Sequence, residues 1–464
     1  MGALYENLLK YSRSDNYPFH MPGHKRKPGL MDAVYDIDIT EIDGFDDLHE
    51  PTGMIRELMR EAESLYNSKR TYLLVNGSTC GILAGMCAAL AGRGDEKPQI
   101  LMARNSHKSA YHWVELSGAE VGYIYPELTE DGLCKGITIE DIDFDKVKDG
   151  TFVYITSPTY EGYVSDIREI SAEVHKCGGI LMVDEAHGAH LVLSSEYPDS
   201  SVLAGADIVV MSLHKTLPAM TQTALLHLTG DRVDEGEIER YLDIFETSSP
   251  SYVLMASIDN CLSFVRQKGR EYTDRLIFNL KRFYDETKNL SHIRVLRADE
   301  YRDISKIVIF GEGVYERLRD EYHLQLEMRT DTYSLAMTSL MDDDEGFDRL
   351  IRALKEIDVE YKGEIKKKTD FGQLLIYKPK INKTISEAVK ERKEWVSLSD
   401  ACGLVSASYI YYYPPGIPFV VPGEEFDEYI ISCIKEMRAK GFTPVGGGYF
   451  DRGEGEVLIC RSTV

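Results

Sequence analysis

A lysine that directly follows an apolar run is the first candidate for chemistry in this sequence. The segment DIVVMSLHKT places Lys215 just after residues 207–212, which have the composition of a buried strand. Most lysines lie on the surface, but a lysine at the end of a buried strand loses contact with water. Desolvation lowers the pKa of its amine, and a neutral amine can act as a nucleophile in Schiff-base chemistry. Lys215 is therefore a candidate nucleophile.

A carboxylate stands in a similar position in the segment VDEAHGAH. Asp184 follows the apolar residues 179–183 and is close in sequence to His187 and His190. An acid and two histidines could bind a metal or clamp a cofactor. The rest of the sequence does not supply metal-ligand spacing, which disfavours a metal site. A structural Asp–His pair remains an alternative to a cofactor clamp.

A third segment, VNGSTCG, combines small and hydroxyl-bearing residues at the predicted start of a helix. Gly77, Ser78 and Thr79 follow the apolar strand 71–75. Small residues let backbone N–H groups approach an anion, and a helix N-terminus adds a partial positive charge. Taken alone, the same residues fit an ordinary helix cap in which Ser78 or Thr79 satisfies the first turn.

The elements that position these residues are alternating apolar strands and amphipathic helices. Continuous apolar strands separated by helices predict a mostly parallel sheet that is covered on both faces. Ligands of such sheets bind beyond the carboxyl ends of the strands, where RNSHKS (104–109) forms a fourth polar cluster. The predicted strands are 71–75, 99–103, 121–125, 152–156, 179–184, 207–212 and 223–228, with further helices predicted over 54–66 and 385–395.

Four polar clusters on four strand ends are expected to meet at one edge of the sheet. An anion cradle, a strand-end Asp184 and a buried Lys215 are the parts needed to hold pyridoxal phosphate. The cradle would bind the phosphate, the lysine would form the Schiff base, and the aspartate would pair with the pyridine nitrogen. The sequence therefore predicts a pyridoxal-phosphate enzyme.

The motifs together resemble the Orn/Lys/Arg decarboxylase family of fold-type I pyridoxal-phosphate enzymes. The similarity extends over nearly the whole chain and is to the short bacterial members that lack a response-regulator-like N-terminal domain. Each motif is short, but their combination is specific. The motifs are MPGHK (21–25), DDLHEPTG (46–53), VNGSTCG (75–81), RNSHKS (104–109), SPTYEG (157–162), VDEAHGAH (183–190), SLHK (212–215) and YPPGIPFVVPGEE (413–425).

The resemblance implies catalytic roles for four residues. Lys215 would be the Schiff-base lysine, and Asp184 would pair with the protonated pyridine nitrogen. His107 would stack on the exposed face of the cofactor ring, near the reacting carbon. His187 would lie close to the ring hydroxyl or to the substrate carboxylate.

The resemblance also implies a set of residues around the cofactor phosphate. Ser78, Thr79 and the backbone of Gly77 would bind it, with Ser212 and His214 beside it. The family further implies a homodimer, or a higher oligomer built from dimers, with active sites at the subunit interface.

The chain departs from the family pattern before the YPPG stretch. Where family members commonly have GRI-x-A-E, this chain has residues 403–408, GLVSAS. Ser408 replaces a glutamate that is a candidate partner for the distal cation of the substrate. We therefore expect another acid to bind that cation, with Glu161 preferred over Asp46 and Asp47 because it follows strand 152–156. The alternative is that the substrate differs from ornithine, lysine and arginine.

The predicted fold class is α/β, with a mostly parallel fold-type I sheet and smaller α+β domains toward the C-terminus. Residues 1–50 are predicted to line the active site or the dimer interface, with His24 at the rim of the site. Residues 51–290 form the predicted cofactor-binding domain, 291–365 a small α+β domain, and 366–464 a C-terminal decarboxylase domain.

Composition excludes several other functions. The chain has 464 residues, 43% of them hydrophobic and 28% charged, which is ordinary for a globular protein. A net charge of -24 disfavours nucleic acid and anionic membranes as partners but does not repel a small cation. No secretory signal or membrane span is visible, and the eight cysteines form no CxxC pair. These features predict a cytoplasmic protein with reduced thiols.

The sequence thus predicts decarboxylation of arginine, lysine or ornithine to an amine of polyamine biosynthesis. Two alternatives stay open. The same scaffold supports transamination and β-elimination, because fold does not determine reaction. A non-catalytic relic of the scaffold is also conceivable, although the presence of Lys215, Asp184 and His107 together argues against it.

Overall fold

The computed structural model describes residues 15–19, 46–92, 99–297, 299, 301–363, 365, 370–446 and 455–461. Within these residues a seven-stranded sheet forms the centre of the larger part of the chain. Up to the end of this sheet the strands are β1 (Tyr17–Phe19), β2 (Arg70–Leu74), β3 (Gln99–Ala103), β4 (Glu120–Ile124), β5 (Phe152–Thr156), β6 (Ile180–Asp184), β7 (Ile208–Ser212) and β8 (Ala224–Leu228).

The central sheet has the strand order β2-β8-β7-β6-β5-β3-β4. Strands β3 to β7 pair in parallel, whereas β8 runs antiparallel to both of its neighbours, β7 and β2. The predicted strands are therefore present, each displaced by at most one residue at an end. The prediction of a mostly parallel sheet is confirmed, with β8 as its antiparallel member.

Alternate residues along each central strand enter two different hydrophobic cores. Leu181 and Val183 of β6 contribute to one core, whereas Ile180 and Met182 contribute to the other. Successive side chains of a strand point to opposite faces, so a continuous apolar run fits a sheet that is covered on both sides. This arrangement places polar side chains at the strand ends, where the apolar runs stop.

Helices cover both faces of the sheet. The first face packs against α1 (Met54–Tyr66), α4 (Ile167–Lys176) and α7 (Tyr252–Thr287), and the second against α2 (Gly77–Ala89), α3 (Lys108–Ser117) and α6 (Glu235–Phe245). A short helix, α5 (Leu213–Thr216), continues directly from β7. Among the described residues, we find no helix that is both long and apolar enough to cross a membrane.

A second sheet lies beyond the long helix α7. It has the order β12-β13-β10-β9 with antiparallel pairing, and β1 pairs in parallel with β11 beside it. Its elements are β9 (Arg294–Val295), β10 (Lys306–Phe310), α8 (Val314–Asp320), β11 (Leu324–Leu326), β12 (Met328–Arg329), β13 (Tyr333–Met337) and α9 (Asp344–Glu360).

The C-terminal part contains two further small sheets, β14-β18 and β16-β15-β17. Its elements are α10 (Asp370–Ile376), α11 (Ile385–Lys390), β14 (Lys393–Ser397), β15 (Ile410–Tyr411), β16 (Pro418–Val420), α12 (Glu428–Ala439), β17 (Val445–Gly446) and β18 (Glu456–Cys460). The helix predicted over 385–395 is too long, because β14 begins at Lys393 and pairs with the distant β18.

Candidate active site

The carboxyl ends of β2, β3, β5, β6 and β7 open into one cavity of about 520 Å³. The C-terminal part of the chain also lines this cavity, through Phe371, Leu375 and Ile417. Of the sequence-predicted site residues, His24 lies outside the described residues. All the others line this cavity, namely Gly77, Ser78, Thr79, His107, Glu161, Asp184, His187, Ser212, His214 and Lys215.

The predicted anion cradle forms the wall where β2 leads into α2. Gly77 begins the helix with a φ of 75°, a left-handed value that glycine adopts without strain. The hydroxyl oxygens of Ser78 and Ser212 lie 2.6 Å apart. The cradle therefore joins the start of α2 to the end of β7, with hydroxyl groups beside the partially positive helix N-terminus.

Lys215 lies on α5, immediately beyond the end of β7. Its Nζ is 2.9 Å from Nε2 of His187 and 5.8 Å from the centre of the Tyr160 ring. Burial lowers the pKa of the Lys215 amine, and the nearby carboxylates of Asp184 and Glu327 oppose this effect. A lowered pKa increases the fraction of neutral, nucleophilic amine near pH 7.

Asp184 is the last residue of β6 and is buried at the cavity wall. Its carboxylate accepts hydrogen bonds from the Tyr154 hydroxyl at 3.3 Å and from the Ala186 backbone N–H at 3.1 Å. Burial raises the pKa of this carboxyl group, and the charge of Lys215 counteracts the rise. A cation placed beside Asp184 would stabilise its ionised form.

His107 lines the same cavity, at the N-terminal cap of α3. Its Nδ1 accepts from the backbone N–H of Ser109. Burial, with a further contribution from the charge of Lys215, lowers the pKa of His107 to about 3. The imidazole is therefore neutral near pH 7 and presents an uncharged aromatic face to the cavity.

Two more histidines line the cavity in neutral form. His214 contacts the carbonyl oxygen of Thr223 through Nδ1 at 3.0 Å, and burial lowers its pKa to about 4. The ring of His187 lies 4.3 Å from the ring of Tyr160, and burial holds the pKa of His187 well below its ordinary value.

The residues of the fourth strand-end cluster, RNSHKS (104–109), lie in two different places. Asn105 and His107 line the cavity, whereas Arg104 is fully buried and turns toward the C-terminal part of the chain. One guanidinium nitrogen of Arg104 donates to the Phe419 carbonyl at 3.1 Å and contacts both Glu424 oxygens at 3.4 Å. Arg104 therefore joins two parts of the chain and lies outside the cavity lining.

The acids considered for the substrate cation also differ in position. Glu161 lines the cavity, and its carboxylate accepts a hydrogen bond from the Tyr333 hydroxyl at 2.5 Å. Asp46 accepts from the N–H groups of Gly53 and Ile55, where it caps α1. Asp46, Asp47 and Ser408 are absent from the described residues that line this cavity.

Several cavity residues were missed by the sequence analysis. Glu327 lies between β11 and β12, Tyr160 precedes Glu161, and Tyr413 begins the YPPG stretch. An acid within the apolar run LQLEM was the available signal for Glu327. Within the described residues, no group of three or more His, Cys, Asp or Glu side chains could hold a metal ion.

Comparisons with known proteins agree with this geometry. Residues 2–315 match the model of the Orn/Lys/Arg decarboxylase major domain, and residues 366–442 match that of the C-terminal domain. An arginine decarboxylase of Bacillus subtilis is 30% identical over 470 residues, which cover 96% of this chain and 95% of the relative.

Solved structures show the same fold. The constitutive lysine decarboxylase of Escherichia coli matches with a TM-score of 0.76 at 18% identity, covering 99% of this chain and 82% of the other. A serine palmitoyltransferase solved with pyridoxal phosphate matches with a TM-score of 0.57 at 14% identity, covering 74% and 87%. The fold is that of the fold-type I enzymes, and the chain belongs to the Orn/Lys/Arg decarboxylase family.

Proposed function

We propose that the chain is a pyridoxal-phosphate-dependent decarboxylase that converts arginine, lysine or ornithine to the corresponding amine and CO2. The observation that carries this proposal is the meeting of Lys215, Asp184 and the start of α2 at one cavity. Membership of the Orn/Lys/Arg decarboxylase family supports the choice of reaction and of a basic amino acid.

The residues around the cavity fit pyridoxal phosphate. Asn105 Oδ1, Thr156 Oγ1 and His187 Nδ1 are buried and have no hydrogen-bond partner among the described residues. All three residues line the cavity. Buried polar atoms normally have a hydrogen-bond partner. A polar group that enters this space would supply the missing hydrogen bonds and remove the energetic cost of their absence.

Each wall of the cavity would hold a different part of the cofactor. The hydroxyls of Ser78 and Ser212 and the backbone at Gly77 would bind the phosphate, with Thr79 and His214 nearby. Lys215 Nζ would bind the aldehyde carbon, Asp184 would hold a proton on the pyridine nitrogen, and His107 would pack on the ring. When bound, pyridoxal phosphate supplies an electron sink for cleavage of the bond to the substrate carboxylate.

The side chains themselves provide the remaining steps. Burial of the cavity walls excludes water and strengthens each charge interaction. The 2.9 Å contact lets Nε2 of His187 exchange a proton with Nζ of Lys215. The substrate arrives as an ammonium ion, and the proton that it would give up to this pair on binding is the one that the pair would return to the substrate carbon after loss of CO2.

The direct test is to incubate the purified holoenzyme with arginine, lysine and ornithine separately. Mass spectrometry of the products and capture of CO2 should show an amine from at least one of them. Lys215→Ala should form no amine and lack the visible absorbance band of the lysine-bound cofactor, while its circular dichroism spectrum stays unchanged. A keto acid as the main product would identify transamination instead, and no product from any of the three would overturn the proposal.

We also propose that the active form is a homodimer, as the family resemblance implies. Tyr413 lines the cavity yet is 66% exposed in the single chain, so a second subunit could cover the cavity near this residue. Sedimentation velocity of the holoenzyme should give at least twice the mass of one chain. A monomer that retains full activity would contradict this proposal.

A further inference from the structure

Glu327 lines the cavity at the wall that the second sheet contributes. The residue is half-buried between β11 and β12. Its backbone N–H donates to the carbonyl oxygen of Leu335 on β13 at 2.9 Å. Pairing with β13 thus fixes the backbone of Glu327, which is a requirement for a residue that positions a ligand.

Glu327 shares this wall with two tyrosines, Tyr160 and Tyr413. Burial raises the pKa of Tyr160, and the charge of Glu327 raises it further, followed by that of Tyr413. The Tyr160 ring is also 5.8 Å from Nζ of Lys215. The cavity lining therefore includes an acid and two tyrosines, and the Tyr160 ring is close to the reactive lysine.

Two other acids, Asp184 and Glu161, are among the described residues that line the cavity. Asp184 interacts with Tyr154 and the backbone at the end of β6. Glu161 accepts from Tyr333, and its burial raises the pKa of its carboxyl group. Glu161 is only 7% exposed, whereas Glu327 is half-buried, so more of the Glu327 side chain is accessible.

We infer that Glu327 binds the distal cation of the substrate side chain, an ammonium or a guanidinium group, against the rings of Tyr160 and Tyr413. This inference rests on the proposed function. A carboxylate forms charge-assisted hydrogen bonds with either cation, and aromatic faces attract cations.

The test compares charged and neutral substrates of similar shape on the holoenzyme. Citrulline is a neutral counterpart of arginine, and norleucine is one of lysine. Glu327→Gln should raise KM for the preferred basic amino acid about 10- to 100-fold, as expected for loss of a charged hydrogen bond. It should change KM for the neutral counterpart less than about threefold, so the preference for charge is lost.

Glu161→Gln is the matched comparison, because it removes a carboxyl group from the same cavity. It should keep the ratio of the KM values for the charged and the neutral substrate. Glu327→Asp retains the charge on a shorter side chain and should give an intermediate ratio. If Glu327→Gln fails to fold or to bind the cofactor, the ratio measured for Glu327→Asp tests the role of Glu327 by itself.

The outcomes separate this inference from the proposed function. If the unmodified enzyme decarboxylates no basic amino acid, the proposed function fails and the inference fails with it. If it does so and both Glu327 variants keep its preference for charge, the role of Glu327 is overturned while the function stands. Loss of the preference in Glu161→Gln but not in Glu327→Gln would assign the cation to Glu161.

Discussion

The amine of Lys215 and the imidazole of His187 meet in the interior, with Nζ 2.9 Å from Nε2. Lys215 follows β7 and His187 follows β6, so the pairing of two adjacent parallel strands brings them together. Burial lowers the pKa of both groups. The neutral forms of the Lys215 amine and the His187 imidazole are therefore favoured. A neutral amine is the form in which a lysine can act as a nucleophile.

The lowered pKa of Lys215 predicts an unusual reactivity in the cofactor-free protein. Trace acetylation with acetic anhydride, followed by peptide mass spectrometry, reports the neutral fraction of each lysine as pH is varied. The acetylation of Lys215 should reach its midpoint at a lower pH than that of a lysine in a short reference peptide, because burial disfavours the charged amine. Equal midpoints would contradict the buried, neutral amine.

Gly416 predicts a second, independent effect on the site. It has a φ of 80°, and a Cβ atom there would lie 3.1 Å from Nε2 of His107 and 3.1 Å from the Tyr413 ring. Gly416→Ala should therefore shift His107 and change the absorbance maximum of the bound cofactor. We also expect kcat to fall by about tenfold, which corresponds to about 1.4 kcal/mol of transition-state free energy.

Gly403→Ala is the matched control for this prediction. Gly403 has a φ of 79°, but among the described residues no atom beyond its chain neighbours lies within 4 Å of its added Cβ. Both variants carry the left-handed backbone penalty of about 1–2 kcal/mol, whereas contact with His107 is specific to Gly416. If both variants shift the cofactor absorbance equally, the contact between Gly416 and His107 is not the cause.

His227 predicts how stability depends on pH. It is fully buried on β8, with Nδ1 2.8 Å from the Thr71 hydroxyl, and burial lowers its pKa to about 3. An unfolded histidine has a pKa of about 6.5. Between these values the unfolded chain binds a proton that the folded chain does not. The free energy of unfolding should therefore fall by up to about 1.4 kcal/mol per pH unit below pH 6.5 on account of this residue.

His227→Gln removes this titration and allows the effect to be isolated. The free energy of unfolding is measured with urea from pH 8 to pH 5. At the high-pH end, the variant and the unmodified protein should differ by a constant amount. The difference in the free energy of unfolding should narrow below about pH 6.5, because only the unmodified protein is destabilised by keeping a buried histidine neutral. Parallel curves over the whole range would contradict a strongly lowered pKa of His227.

The sequence predicted the central sheet and most of the cavity because both follow from local patterns. Apolar runs located the strands, and the rule that ligands bind beyond parallel strand ends located Asp184 and Lys215 on one edge. Those residues reach the cavity through the strands that precede them. These strands pair with their neighbours in one parallel sheet, so the positions of the residues that follow them could be predicted without information from distant parts of the chain.

Features that depend on distant pairing were not predicted. Lys393–Ser397 continues a helical pattern locally, yet it is a strand because it pairs with Glu456–Cys460. Glu327 enters the cavity from the second sheet, whose position beside the first cannot be inferred from spacing. Arg104 stands among cavity residues in sequence, but its partner Glu424 is 320 residues away.

The pair of Arg104 and Glu424 carries the last prediction. Both side chains are almost fully buried, and the guanidinium also donates to the carbonyl of Phe419. Removing one member leaves the other as an uncompensated buried charge, which typically costs about 3–5 kcal/mol. Arg104→Met and Glu424→Gln should therefore each lower the free energy of urea unfolding by about that amount.

The double variant separates charge pairing from packing. Without either charge, Arg104→Met with Glu424→Gln should be less destabilised than the sum of the two single variants, by at least about 1 kcal/mol. Arg104 also precedes Asn105 and His107, so both single variants should weaken cofactor binding as the cavity edge loosens. Additive free energies of unfolding would mean that the buried contact at 3.4 Å contributes no coupling between the two parts of the chain.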